Sequence, residues 1–158
     1  MASALEVKNG KKPFQRDSVL FDRIVYSWPI LASLNWAAAQ ASGKLRVLDF
    51  GGALGTSYFQ NKRFIDHLSE VCWHIVEQPN LAELGNKHLK NESLSFSSNI
   101  EDAFRFFHPN FVLLSSVLQY IKDPFDVIAN LANRDVPVIA LDRTPFLNED
   151  QKTFIQKQ

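Results

Sequence analysis

From Leu45 onward, short apolar runs alternate with amphipathic segments. The runs at 45–50, 72–77, 94–97, 111–115 and 138–141 are almost continuously apolar. That pattern predicts strands of a parallel sheet buried on both faces, because a half-exposed strand would alternate polar and apolar residues. The segments between them predict helices over 56–68, 80–89, 99–107 and 124–132, with Thr56, Asn80 and Asn99 as N-caps. Strand–helix alternation of this kind argues for an α/β domain with helices on both faces of one sheet.

The first third of the chain reads differently. Residues 1–16 are polar and lysine-bearing, and are expected to form a loose arm. Asp17-Ser18 is placed to cap a first helix carrying Val19, Leu20, Ile24 and Val25. Ser27-Trp28-Pro29 then restarts a second helix through Leu31, Leu34 and Ala38, which stops near Gly43. The expected organisation is an arm at 1–16, a domain at 17–146 with a helical lead-in at 17–43, and a polar tail at 147–158.

Composition narrows the function classes. The 158 residues suit one domain with a real core. Seventeen Lys+Arg balance 17 Asp+Glu, so no basic field invites nucleic acid and a bulk electrostatic nucleic-acid binder is not expected. The single cysteine, Cys72, excludes an internal disulfide and a multi-cysteine metal site, and no metal is expected. Cys72 reads as a small core residue in a reducing, cytoplasmic setting. The N-terminus lacks the apolar core of a secretion signal. The most apolar stretch, 24–41, is interrupted by Ser27, Pro29, Ser33, Asn35 and Gln40, and is not expected to span a membrane. The 13 phenylalanines read as core filling, and Trp28 and Trp36 are expected to pack on the sheet.

Candidate chemistry sits at the carboxyl ends of the strands, where open α/β sheets bind ligands. The first end is the most informative: Asp49-Phe50-Gly51-Gly52-Ala53-Leu54-Gly55, an acid followed by a glycine-rich turn and a helix start. Glycine lets backbone N–H groups approach a nucleotide-type ligand closely. Glu77 and Gln78 end the second strand, and an acid there accepts both hydroxyls of a ribose. Ser98 and Asn99 follow the third strand, Ser115, Ser116, Gln119 and Tyr120 the fourth, and Asp142, Arg143 and Thr144 the fifth. The dinucleotide fingerprint G-x-G-x-x-G fails from Gly51 and from Gly52 alike, since neither register supplies the second and third glycines. No histidine is an obvious base: His74 lies within a strand, His108 precedes one, and His67 and His88 read as surface residues.

The stretch Val47-Leu48-Asp49-Phe50-Gly51-Gly52-Ala53-Leu54-Gly55 resembles the first motif of Rossmann-like S-adenosylmethionine-dependent methyltransferases, whose pattern is acid-x-Gly-x-Gly-x-Gly. Asp49, Gly51 and Gly55 match, and Ala53 replaces the middle glycine. Trp73-His74-Ile75-Val76-Glu77-Gln78-Pro79, the stretch from Leu114 to Pro124, and Leu141-Asp142-Arg143-Thr144-Pro145-Phe146 resemble a narrower methyltransferase-like family found near surface-polysaccharide genes. The resemblance implies a doubly wound, mostly parallel sheet of about five strands with S-adenosylmethionine as cofactor. It implies that the turn from Gly51 through Gly52 to Gly55 passes under the methionine portion and ribose, with Asp49 ordering the turn. It assigns the ribose to Glu77, the adenine to Gln78 and to Ser98 or Asn99, and the methionine end to Ser115 and Ser116. Gln119 and Tyr120 would stand where acceptor and methyl group meet, and Tyr120, Asp142 and Arg143 are the candidate catalytic residues. The implied acceptor is a small molecule or glycan precursor.

A full methyltransferase of this type ends its sheet with an antiparallel hairpin. Too few residues follow Arg143 for another crossover unit. The chain therefore reads as C-terminally shortened, with its fifth strand an open edge through which it could form a homo-oligomer. Two other readings stand beside the methyltransferase: an enzyme of another nucleotide cofactor, and a truncated non-catalytic binding or assembly module.

Overall fold

The computed structural model describes residues 1–146; the expected polar tail at 147–158 lies outside the described residues. The main sheet has strands β3 (Lys44–Phe50), β4 (Glu70–Val76), β5 (Leu94–Ser97), β6 (Phe111–Ser115) and β7 (Ile139–Asp142). All four pairings are parallel, and the order is β5-β4-β3-β6-β7. The chain winds outward from β3 to β5 and then returns to β6 on the other side of β3. The fold is thus a doubly wound, Rossmann-like α/β domain, as the alternation of apolar runs predicts. The reversal opens a crevice beyond the carboxyl ends of β3 and β6.

Two apolar layers cover the sheet. Helices α2 (Trp28–Gln40), α3 (Thr56–Ile65) and α4 (Pro79–His88) lie on one face, where Leu34, Tyr58, Ile65 and Ala82 meet Leu45, Val47, Trp73 and Ile75. Helices α5 (Ile100–Phe106) and α6 (Pro124–Ala132) lie on the other, where Ala103 and Leu131 meet Leu48, Val112 and Leu114. Alternate residues of β3 feed opposite layers, as the period of two requires. Gly85 in α4 has no room for a side chain, because a Cβ there would stand 2.5 Å from the Phe96 ring on β5.

The N-terminal segment departs from expectation. Residues 1–16 are no loose arm: Ala2–Lys8 forms helix α1, and Phe14–Arg16 forms strand β1. Ala4 and Phe14 are buried, which anchors the segment on the domain. Asp17-Ser18 caps no helix. Both residues have positive φ, 50° and 67°, and they turn β1 into antiparallel strand β2 (Val19–Phe21) with Arg16 paired to Val19. Two residues at positive φ make the primed turn whose twist matches a hairpin, so Val19 and Leu20 continue a strand rather than start a helix.

Smaller differences have local causes. α3 begins at Thr56 but its N-cap is Gly55, at φ 85°, and Gln78 rather than Asn80 caps α4 because Pro79 takes the first helical position. Asn99 caps α5 as expected, its side chain accepting from the Asp102 amide. Trp28 and Trp36 do not pack on the sheet; both are more than half exposed, and Trp28 contacts Tyr26 and Phe64 instead. Cys72 is half-buried rather than enclosed in the core. No helix among the described residues is long and apolar enough to cross a membrane.

Candidate functional site

The turn after β3 is built around a buried carboxyl. Asp49 is 1% exposed. Its Oδ2 accepts a hydrogen bond from the Trp73 indole Nε1 at 3.0 Å, while Oδ1 is enclosed without a partner among the described residues. A Cβ on Gly52 would sit 2.5 Å from the Asp49 carboxyl, so only glycine lets the chain pass over it. Gly51, at φ 71°, has the second requirement: its Cβ would enter the Val117 side chain. Burial pushes the Asp49 carboxyl up to about 7; the Trp73 hydrogen bond opposes this, the Glu77 carboxylate adds to it, and Arg143 opposes it. Ala53 holds φ 50° where the resembling motif has glycine, so the turn keeps a left-handed geometry with a side chain present.

Glu77 closes the turn from the neighbouring strand. Its Oε1 accepts from the Ala53 amide at 3.1 Å and its Oε2 from the Gln78 amide at 2.8 Å. The carboxylate is thereby fixed in direction while each oxygen keeps a lone pair for a ligand.

Two clefts flank this turn. The first, about 530 Å³, is lined by Asp49, Gly52, Thr56, Ser57, Ser115 and Arg143, together with Arg16 and Asp17 of the hairpin. The second, about 510 Å³, is walled by Glu77, Gln78 and Ser98 with apolar Phe50, Val76, Pro79, Val117 and Ile121. Gly51, Ser116 and Tyr120 line both, so the clefts meet at the switch point between β3 and β6. Tyr120 is 68% exposed at that junction. Ser116 holds φ 58° there.

A hydrogen-bonded cluster joins the ends of β6 and β7. Ser115 Oγ donates to Asp142 Oδ2 at 2.8 Å and accepts from Arg143 Nη2 at 2.9 Å. Ser27 Oγ donates to Asp142 Oδ1 at 3.4 Å.

The structure brings most of the sequence-derived candidates together. Asp49, Gly51, Gly52, Ser115, Ser116, Tyr120 and Arg143 line the first cleft, and Glu77, Gln78 and Ser98 the second. Four candidates lie off both walls. Gly55 is the N-cap of α3. Asn99 is occupied at both side-chain atoms with Asp102, so its capping duty takes it out of ligand reach and Ser98 is the one that faces the cleft. Gln119 donates to Ser116 Oγ at 3.1 Å. Asp142 is held by Ser115 and by Arg143, 3.4 Å away.

Sequence reasoning missed Arg16 and Asp17, which come from the misread hairpin, and Thr56 and Ser57, read only as a helix start. Gln15 Nε2 donates to Thr56 Oγ1 at 2.7 Å, tying β1 to the head of α3, and the next residue, Arg16, lines the first cleft. The only signal for this was the polar Gln15-Arg16-Asp17-Ser18 run beside Phe14, which equally suits a helix start.

A separate hollow of about 420 Å³ lies on the sheet face beside β5, lined by Cys72, His74, Ser93, Ser95 and Phe107 among others. His74 Nε2 and Nδ1 lie 2.8 Å from the Ser97 and Ser95 hydroxyls. Ser97 donates to the Asn99 carbonyl, so it accepts from His74 Nε2–H. Burial drives the ring's pKa down to about 4, so near pH 7 the ring is neutral and its Nδ1 accepts from Ser95.

No family model matches this chain, and no curated protein matches its sequence. Among solved structures it is similar to the N-terminal domain of EvdMO1, crystallised in the presence of SAH and D-fucose, at 12% identity and a TM-score of 0.48. The similarity covers 87% of this chain and 61% of that one, so the chain spans less than two thirds of its length.

Proposed function

We propose that this domain binds S-adenosylmethionine and transfers its methyl group to a small-molecule or glycan-precursor acceptor. The observation that carries the reading is the pair of unlike clefts meeting over Gly51, Ser116 and Tyr120. One is charged and hydroxyl-rich, suited to a zwitterionic amino-acid end. The other combines apolar walls with a fixed carboxylate, suited to a flat base and its ribose. A ligand with both ends joined through one central atom fits this arrangement.

The residues present fit that cofactor. Glu77, aimed by two backbone amides, would take the ribose hydroxyls, and Gln78 and Ser98 the polar edge of the adenine between Phe50, Val76 and Ile121. The orphaned Asp49 Oδ1 needs a donor or a cation, which an ammonium or ordered water at the amino-acid end supplies. Gly51 and Gly52 bring the backbone close, and Ser115 and Ser116 border the same end. When bound, the cofactor supplies an electrophilic methyl carbon for in-line displacement.

The protein's part is then positioning. Holding an acceptor in near-attack geometry supplies much of the acceleration in such displacements. Tyr120, exposed at the junction, would orient the acceptor, with Gln119 steadying Ser116 beneath it. Asp142 and Arg143 brace Ser115 and so act by fixing the end of β6. A base is needed only for an acceptor that begins protonated.

Calorimetric titration with S-adenosylmethionine and S-adenosylhomocysteine, with NAD as control, tests the reading. Micromolar binding of both adenosyl ligands, weak NAD binding and at least a tenfold loss in folded Glu77→Ala are expected. Absence of binding by folded wild-type protein would overturn it and bring forward the non-catalytic module; preference for NAD would bring forward another cofactor.

A further inference from the structure

Arg16 stands apart from the other charged groups around the first cleft. It comes from the N-terminal hairpin rather than from a strand end of the main sheet, yet it lines the same cavity as Asp49, Ser115 and Arg143. Its Nε is enclosed and has no hydrogen-bond partner among the described residues. The guanidinium rests over the Phe14 ring at 5.3 Å. Arg143, which lines the same cavity, is already committed to Ser115 and Asp142, whereas Arg16 Nε has no partner among the described residues. Burial and the Arg143 charge both work against its protonated form, while Asp17 and Asp142 favour it. An enclosed guanidinium N–H without an acceptor is a destabilising arrangement unless a ligand completes it. The hairpin that carries Arg16 is itself held in place by the Gln15–Thr56 hydrogen bond and by buried Phe14, so the group is presented from a fixed support.

We propose that the β1–β2 hairpin is part of the ligand site and that Arg16, which lines the first cleft, is its carboxylate anchor, binding a planar oxyanion through its guanidinium. A guanidinium matches a carboxylate in shape and donor spacing, which an ammonium does not. This deepens the reading above and rests on it for one of two sources of the carboxylate: the amino-acid end of the cofactor, or an acidic acceptor such as a uronate.

The test uses the full chain as wild type, Arg16→Gln and Arg16→Lys. Three probes are titrated: S-adenosylhomocysteine; 5′-methylthioadenosine, which keeps the nucleoside thioether but lacks the carboxylate; and glucuronate, added to free and to S-adenosylhomocysteine-saturated protein. If the cofactor supplies the carboxylate, Arg16→Gln weakens S-adenosylhomocysteine at least tenfold, leaves methylthioadenosine unchanged, and Arg16→Lys recovers only part of the loss. If the acceptor supplies it, Arg16→Gln leaves both adenosyl ligands unchanged and abolishes glucuronate binding to the saturated protein. Arg16→Gln that binds all three probes as wild type does overturns the proposal. Wild type that binds neither adenosyl ligand refutes the cofactor reading instead, and glucuronate on the free protein then decides the anchor alone, its absence overturning that too. Melting temperature controls for folding: Arg16 is half-buried and its Nε has no partner among the described residues, so Arg16→Gln should leave it near the wild-type value, whereas a purely structural role would lower it.

Discussion

The indole N–H of Trp73 donates to Asp49 Oδ2 at 3.0 Å, and the other oxygen of that carboxyl has no partner among the described residues. One hydrogen bond thus holds a buried acid between strands β3 and β4, directly beneath the glycine turn. Trp73→Phe keeps most of the ring volume but leaves both oxygens without donors. We expect a loss of about 1–3 kcal/mol, the usual penalty for an orphaned buried polar group, read by urea denaturation. The Asp49 carboxyl should also titrate above its wild-type value, which carbon-detected NMR would follow. Wild-type stability in Trp73→Phe would show the bond to be idle.

The same carboxyl makes stability depend on pH in a distinctive way. Asp49 is pushed from 3.8 up to about 7, so the folded state holds its proton more tightly than the unfolded chain. Its contribution is complete below about pH 4 and is lost as pH rises to about 7. His74 is pushed from 6.5 down to about 4, so its contribution is complete above about pH 6.5 and is lost as pH falls through the same window. The two slopes oppose each other. Asp49→Asn removes the falling one, so its stability relative to wild type should grow from near zero at pH 4 to a few kcal/mol at pH 7. Parallel melting curves of the two proteins across pH 4.5–8 would contradict the assignment.

Gly52 and Ala53 separate two reasons for glycine in one turn. At Gly52 the obstacle is steric, since a Cβ would meet the Asp49 carboxyl at 2.5 Å. Gly52→Ala must displace the turn or the acid, and should lose about 1–3 kcal/mol, as overpacked sites do, together with adenosyl-ligand affinity. At Ala53 the side chain is accommodated but φ is 50°. Ala53→Gly relieves a left-handed strain of about 1–2 kcal/mol against roughly 0.5–1 kcal/mol of added chain entropy, so its net effect should be neutral to mildly stabilising. Equal destabilisation by both substitutions, measured by thermal melts, would refute the distinction.

The hairpin explains where the sequence was legible and where it was not. The three central strands β3, β4 and β6 were readable because Leu45, Val47, Leu48 and their counterparts are buried on both faces, while the outer strands β5 and β7, only partly buried, were readable as short apolar runs between amphipathic segments. The strand-end residues followed from the topology, which fixes what stands over the switch point. Val19-Leu20-Phe21 is exposed along its length, so no burial imposed a strand period on it, and Asp17-Ser18 fits a cap as well as a turn. What decides between them is Phe14 docking into the core and Gln15 reaching Thr56, contacts far apart in sequence. Asn99 was ambiguous for a related reason: an exposed asparagine at a strand end serves a helix cap or a ligand equally well until Asp102 is seen beside it. Ser18→Gly tests the turn directly. At φ 67° glycine should raise stability by up to about 1 kcal/mol; a helix cap in that position would instead lose stability with the hydroxyl.

Asp49 also links protons to ligand binding. A ligand that places an ammonium or another donor against Oδ1 favours the ionised carboxylate and draws its pKa below about 7. Binding must then release a proton wherever free Asp49 is protonated. Affinity for S-adenosylmethionine should therefore rise with pH by at most about tenfold per unit below about pH 7, and level off above it. Calorimetry in two buffers of different ionisation enthalpy should give up to one proton released at pH 6. Asp49→Asn should release none from this site, and its affinity should vary less with pH than that of the wild type. A ligand that contacts Asp49 only through its protonated form would reverse the slope, with affinity falling as the carboxyl ionises. The sign of the pH dependence thus tells whether the ligand donates to the ionised carboxylate or accepts from its protonated form.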